Sequence, residues 1–158
     1  MTIDATTFRH VLGHVPTAVV LLTILDEQGV DRGMTVGSFC SLSLSPPLVL
    51  ACIGNDATIA SAMRGATQFG ISALADDQEA LSRRFADTEA RGFDGVRYHR
   101  GPNGLALFDD AAAYLECRIT ARHPGGDHTM VVGEVLFAQA TLRSPLIYHR
   151  SGYARLAK

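Results

Sequence analysis

The chain has 158 residues, 47% hydrophobic and 19% charged, enough length and apolar content to bury one core, which excludes a disordered chain. Fourteen Lys and Arg against sixteen Asp and Glu give a formal net charge of −2, with no basic surplus to hold nucleic acid or an anionic membrane. No apolar run reaches the roughly 18 residues of a membrane helix, and no basic-then-apolar leader opens the sequence. These features predict a single domain over 1–158 and a cytoplasmic setting. The three cysteines, Cys40, Cys52 and Cys117, lie far apart without a C-x-x-C and are expected to be reduced, buried and inert.

The first predicted element is a helix over 4–15, where Phe8, Val11, Leu12 and Val15 fall at helical spacing before Pro16. Residues 17–25 read as a strand apolar on both faces, followed by a turn at 26–29. A second strand is predicted over 33–42, ended by Ser45-Pro46-Pro47, and a third over 48–53. Asn55-Asp56 offers an N-cap for a short helix ending near Met63. Residues 67–74 read as a strand. Residues 76–85 read as a helix, with Asp76, Asp77 and Glu79 in its first turn and Arg83 and Arg84 near its end, an order that suits the helix dipole. Residues 92–103 are Gly-rich and expected to be irregular. Two long strands over 112–122 and 129–142 are joined through 123–128, and a last short strand falls within 145–153.

Regular β-α-β alternation is absent, as are G-x-G-x-x-G and the P-loop pattern, which argues against a doubly wound nucleotide fold. The expected architecture is mainly β: an antiparallel barrel with short appended helices.

Five segments carry residues suited to chemistry. In the segment 33–43, Met34, Thr35, Val36, Gly37, Ser38, Ser41 and Ser43 crowd small and hydroxyl residues where bulk is usual; this fits either a ligand lying against main chain or a polar edge strand. Asn55, Asp56 and Thr58 at a helix start fit an anion site or ordinary capping. Arg84, Phe85 and Ala86 at a helix end fit a phosphate clamp or the satisfaction of terminal carbonyls. His128, after Gly126-Asp127, fits a pocket rim or a solvated turn. Tyr148, Arg150 and Tyr153 fit a nucleotide contact or a plain last strand. His10 and His14 are spaced as metal ligands on one helix, but no acidic or Cys partner stands at a matching spacing, so no metal site is expected. G-x-S-x-G is absent, so serine hydrolase chemistry has no support.

Taken in order, these motifs resemble the short-chain flavin reductase family, the reductase components of two-component flavin-dependent monooxygenases. Gly33-Met34-Thr35-Val36-Gly37-Ser38-Phe39 with Ser41-Leu42-Ser43 and Pro46-Pro47-Leu48 looks like that family's G-[MI]-T-x-x-[SA]-[FV]-x-S-x-S-x-x-P-P block. Arg84-Phe85-Ala86 is similar to its R-F-A element and Gly126-Asp127-His128 to its G-D-H element. The resemblance runs from about Phe8 to Tyr153.

The resemblance implies a Greek-key split β-barrel, the FMN-binding split barrel, that forms a homodimer. It implies reduction of FMN or FAD by NADH or NADPH, with reduced flavin passed to a partner monooxygenase. Thr35 to Ser38, with Ser41 and Ser43, would line the isoalloxazine and ribityl chain; Cys52, Ile53 and the Asn55–Thr58 turn would follow it to the phosphate; Arg84, Phe85 and Ala86 would close that side. His128 would face the nicotinamide nucleotide, helped by Tyr148, Arg150 and Tyr153. Gly37 stands where the family often has Asn, and Ala57 where it often has Ser, leaving Thr58 and main-chain amides for the phosphate. The other reading of the same architecture is a flavin- or haem-binding split barrel without reductase turnover. Gly126-Asp127-His128 favours the enzyme, since a carrier has no need of a nicotinamide site.

Overall fold

The computed structural model describes residues 2–87 and 92–157. In chain order its elements are α1 (Ala5–Gly13), β1 (Thr17–Ala18), β2 (Val20–Leu25), β3 (Asp31–Val36), β4 (Phe39–Leu44), β5 (Pro47–Gly54), α2 (Ala60–Gly65), β6 (Gln68–Ala73), α3 (Glu79–Ala86), β7 (Tyr98–Arg100), β8 (Ala106–Phe108), β9 (Ala113–Gly125), β10 (His128–Ala140), β11 (Ile147–His149) and β12 (Gly152–Ala154).

Seven strands form one antiparallel sheet in the order β3-β2-β6-β9-β10-β5-β4. Its two edges, β3 and β4, are consecutive in sequence and joined only through Gly37 and Ser38. Laid flat, the seven strands would hold those edges about 29 Å apart at the usual strand spacing. The short link from Val36 to Phe39 reaches at most about 11 Å. The sheet therefore curls into a barrel split along the β3–β4 seam, the mainly β Greek-key split barrel with appended helices that the sequence led us to expect.

The predicted strand over 33–42 is thus two strands on opposite sides of the split. Gly37 and Ser38 are the crossing between them rather than a strand interior. Both are exposed, and the Ser38 carbonyl accepts from the Cys52 amide at 3.0 Å, which pins the crossing to β5.

Alternation on β2 explains its apolar run. Val20, Leu22 and Ile24 face the barrel interior with Val36, Ala51, Ile53, Phe69, Ile71, Cys117 and Val131, while Val19 and Leu21 lie outside with Leu74, Phe85, Phe108 and Leu146. The one hydroxyl in the run, Thr23, is buried and donates to the Ala106 carbonyl at 2.7 Å. On β10 the barrel needs a glycine: a Cβ on Gly133 would stand 2.5 Å from the Phe69 ring.

Other boundaries move for local reasons. The predicted strand over 17–25 breaks at Val19, whose amide bonds Leu146 and whose carbonyl accepts from Leu74, so β1 pairs with β11 in a separate three-stranded sheet. The stretch 92–103 is not wholly irregular: β7 pairs with β8. β9 and β10 run closer together than expected, turning through Gly126 and Asp127 alone with Gly126 at φ +71°. The last predicted strand is a hairpin, β11–β12, with Arg150 and Ser151 at φ +48° and +59°. Asp76 and Asp77 precede α3, leaving Glu79 as the acid in its first turn.

α1 starts where expected, with the Asp4 carboxylate capping the Thr7 amide at 2.9 Å. Its apolar stripe does not reach the core: no residue of α1 is buried, and Phe8, Val11 and Leu12 stay about half exposed. The cysteines divide. Cys117 is buried and its thiol is pushed up to about 12 by desolvation; Cys52 is half-buried and also raised by burial; Cys40, on the edge strand β4, is exposed, contrary to expectation.

Candidate active site

A cavity of about 790 Å³ opens between β3, the segment from β5 into α2, and the C-terminal turn of α3. Its walls include Gly33, Met34 and Thr35 from β3; Ala57, Thr58 and Ser61 from the second segment; and Arg84, Phe85 and Ala86 from α3. Three motifs separated by up to fifty residues in sequence thus meet in one space. The small residues on β3 serve packing as well as opening. A Cβ on Gly33 would lie 3.1 Å from the Phe85 ring and 3.3 Å from the Phe93 ring, so a side chain there would displace the flat apolar floor. Phe85 and Phe93 meet edge to face with centroids 5.2 Å apart.

Thr35 is fixed by donating its hydroxyl to the Ser82 carbonyl on α3 at 2.7 Å. Arg84 donates through Nε to the Gly92 carbonyl at 2.7 Å and through Nη2 to the Asp94 carbonyl. It therefore splints the segment after α3 rather than capping the helix's own last carbonyls, while its side chain still lines the cavity. At the rim, Asp26 accepts from the amides of Val30 and Gln28 and from Arg32, and the Val30 amide is the main reason its carboxyl sits below the usual range.

Asn55 does not sit at a helix start, where the sequence offered either a cap or an anion site. α2 begins at Ala60, with Ile59 at its N-cap and no side-chain cap. The amides of Asn55 and Ala57 are already spent on the carbonyls of Asp127 and Gly54. Asn55 instead clamps the β9–β10 turn: Nδ2 donates to the Gly126 carbonyl at 3.4 Å, and Oδ1 accepts the Thr129 hydroxyl at 2.8 Å. These contacts join positions more than seventy apart, which no local pattern could reveal.

That clamp brings His128 beside the cavity-forming segment. His128 pairs with Gly54 in the β10–β5 register, and its Nε2 lies 3.9 Å from where a Gly54 Cβ would stand, with the Asp56 carboxylate 3.1 Å from the same point. Its Nδ1 is 2.7 Å from Asp127 Oδ1.

Tyr148 and Tyr153 lie elsewhere, in a smaller cleft of about 330 Å³ lined by Arg83, Ala86, Asp87, Tyr148, Ser151 and Tyr153. Ala86 and Asp87 line both spaces, so the end of α3 is the partition between them. Tyr153 shares a 2.8 Å hydrogen bond with Ser82 Oγ, and the Arg83 guanidinium lies 4.9 Å over its ring. The remaining candidates stand apart from the cavity. Val36 and Ile53 are buried in the barrel core and offer only main chain. Ser41 and Ser43 lie along β4, with Ser43 Oγ accepting from the Ser45 amide. Arg150 turns its amide onto the Gly13 carbonyl of α1. Sequence reasoning missed Ser82, which bridges cavity and cleft, and Phe93, whose one signal was an aromatic in a Gly-rich stretch. Among the described residues no group of His, Cys, Asp and Glu is placed to hold a metal ion, and no helix is long and apolar enough to cross a membrane.

Comparison with known proteins agrees with this geometry. The family model for the flavin reductase like domain matches residues 12–157. Flavin reductase (NADH) of Kitasatospora aureofaciens is 36% identical over 97% of this chain and 82% of its own length. The reductase component of 4-nitrophenol 4-monooxygenase/4-nitrocatechol 2-monooxygenase of Rhodococcus opacus is 36% identical over 96% of this chain and 80% of its own. The solved structure of Streptomyces globisporus NADH:FAD oxidoreductase SgcE6, in complex with NAD and FAD fragments, superposes with a TM-score of 0.92 at 38% identity, covering 98% of this chain and 93% of that one. This chain belongs to the flavin reductase like domain family.

Proposed function

We propose that the chain transfers hydride from NADH to FMN or FAD and supplies the reduced flavin to a separate monooxygenase component. The observation that carries this is the convergence of the β3 small-residue block and Arg84-Phe85-Ala86 on one cavity, with the His128 turn clamped beside the same segment. NADH is the donor named for the Kitasatospora and Streptomyces relatives, and a monooxygenase is the context of the Rhodococcus one.

The cavity suits a flavin. Its volume of about 790 Å³ lies within the range of small-molecule sites, and its walls pair flat apolar rings, Phe85 and Phe93, with small residues that expose main chain. Met34 and Thr35 would lie along the ring system, with Ser38 and Cys52, joined through the Ser38 carbonyl and the Cys52 amide, continuing the strip across the split. Thr58 and Arg84 would hold the ribityl and phosphate end. When bound, the flavin supplies the hydride acceptor, so the transfer itself needs no protein acid or base. The protein's work is to orient two rings and keep water out. His128 orients the nicotinamide nucleotide, and Tyr148 and Tyr153 offer a stacking surface beyond α3.

The working unit is a homodimer. The apolar stripe of α1, left uncovered in one copy, is the observation that supports this. The protein acts in the cytoplasm. Titration of FMN and of FAD, followed by quenching of flavin fluorescence, tests the site: saturable quenching that is lost when the cavity is filled by Thr35→Trp supports it, and equal quenching in both proteins places flavin elsewhere.

A further inference from the structure

We propose that Cys40 and Cys52 form a peroxide-sensitive thiol pair whose oxidation to a disulfide lowers the affinity of the neighbouring site for flavin. The effect on flavin rests on the reading above; the pairing of the thiols does not. In the β4–β5 register Phe39 stands opposite Ala51 and Cys40 opposite Leu50. Ala51 is buried and Phe39 packs on the same core, so alternation turns Cys40, Leu50 and Cys52 to the outer face of the barrel. Cys52 follows Leu50 by two positions, which makes it the diagonal neighbour of Cys40 on one face of adjacent strands. The two sulfurs sense each other: the Cys52 thiol is raised first by burial and then by the charge of Cys40.

Diagonal neighbours stand about 7–8 Å apart, just beyond the usual span of a disulfide, roughly 4.4–6.8 Å between α-carbons. The small remaining shift is available here. β4 is the end strand of the sheet, with β5 as its one neighbour among the described residues, and its register already slips between Ser41 and Ser43. Cys117 does not compete, because it is buried inside the barrel.

The chemistry divides between an exposed sulfur and a half-buried one. The Cys40 thiolate attacks hydrogen peroxide, breaking the O–O bond, releasing hydroxide and leaving a sulfenic acid. The Cys52 thiol then attacks that sulfur, and its proton leaves with the displaced hydroxide as water. Two thiols and one peroxide thus give one disulfide and two waters, with sulfur oxidised and peroxide reduced. The reaction proposed for this chain supplies the oxidant: reduced flavin left unused by an oxygenase passes two electrons and two protons to O₂, giving hydrogen peroxide. Closing the pair draws β4 against β5 beside the bond from the Cys52 amide to the Ser38 carbonyl, which pins the crossing next to the cavity. The pair is a brake that acts when reduced flavin outruns its consumption.

Both cysteines fall in one tryptic peptide, residues 33–64. The purified protein is treated with hydrogen peroxide and the excess removed with catalase. Peptide 33–64 should then be two hydrogens lighter than after dithiothreitol, and only Cys117 should take iodoacetamide on denaturation. The oxidised protein should bind FMN about tenfold more weakly by fluorescence quenching, and dithiothreitol should restore the affinity. Cys40→Ser changes an exposed side chain and should bind FMN within about twofold of the parent protein before and after peroxide. Cys52→Ser should stop at a Cys40 sulfenic acid that dimedone traps, which identifies the attacked sulfur. Both thiols still open to iodoacetamide after peroxide, a disulfide between two chains in place of the internal one, or an oxidised parent with unchanged FMN affinity overturns the proposal. So does a loss of affinity that dithiothreitol leaves in place or that Cys40→Ser shares, which would assign the damage to oxidation of Met34 on the cavity wall. If the reduced parent binds no FMN or FAD, the functional reading fails and takes the effect on flavin with it, while the disulfide within 33–64 would still establish the thiol pair.

Discussion

The Thr35 hydroxyl and the Ser82 carbonyl, forty-seven positions apart and 2.7 Å from each other, tie the open edge of the barrel to α3. Ser82 carries a second bond in the other direction, from its own hydroxyl to Tyr153. One buried serine therefore sets the spacing of the cavity on one side of α3 and of the tyrosine cleft on the other. Thr35→Val keeps the shape and removes the hydroxyl. It is expected to cost about 1 kcal/mol of stability, the usual worth of one intramolecular hydrogen bond. It should also weaken flavin binding several-fold by loosening α3. Thermal unfolding beside a flavin titration checks both; an unchanged flavin affinity would mean that α3 does not shape the site.

Ser38→Trp is expected to abolish flavin binding without unfolding the chain. Ser38 is exposed at the crossing between the barrel edges, and only its carbonyl serves the fold, through the Cys52 amide. An indole there would occupy the strip beside the cavity. Circular dichroism reports folding, and normal flavin reduction by a folded variant would show that the ring lies elsewhere.

His128→Ala is expected to raise the KM for NADH about tenfold, equivalent to roughly 1.4 kcal/mol for one lost positioning contact. Flavin affinity should stay nearly constant, because His128 lies at the Gly54 end of the segment while Thr58 and Arg84 line the cavity. A fall in flavin affinity at constant KM would reverse the assignment of the two ligands.

The thiols should react in the order of their burial. The Cys117 thiol, raised to about 12 by desolvation, remains protonated and shielded across ordinary assay pH, and the half-buried Cys52 is also raised above its ordinary value. At pH 8, intact-mass analysis after iodoacetamide should find Cys40 modified first, Cys52 slowly and Cys117 only after denaturation. Early loss of Cys117 would contradict the packing of the barrel interior.

Much of this was legible in the residues. The doubly buried β2 announces itself in the apolar run from Val20 to Leu25, interrupted only by Thr23, and the motif block on β3 points to the cavity wall it forms. What the sequence hides are events set by tertiary closure. Nothing local says that the chain changes sheet edge at Gly37 and Ser38, because the reason is the length of the sheet that must curl around them. Asn55 reads as a helix cap because its neighbours look like a helix start. The β9–β10 turn, some seventy residues away, recruits its amide and its side chain instead. The stripe of α1 reads as core because Phe8, Val11 and Leu12 are spaced like core, yet one copy of the chain leaves them about half exposed. Light scattering at micromolar concentration should find a dimer, and an active monomer would remove the need for a partner there.

The most direct measurement is the oxidation of NADH at 340 nm by the purified chain, with FMN or FAD added and then withheld. The expected result is saturable oxidation that requires both the chain and a flavin, with reduced flavin accumulating under anaerobic conditions. Absence of flavin-dependent oxidation, with flavin bound and the fold intact, would contradict the assignment of reductase activity to this cavity.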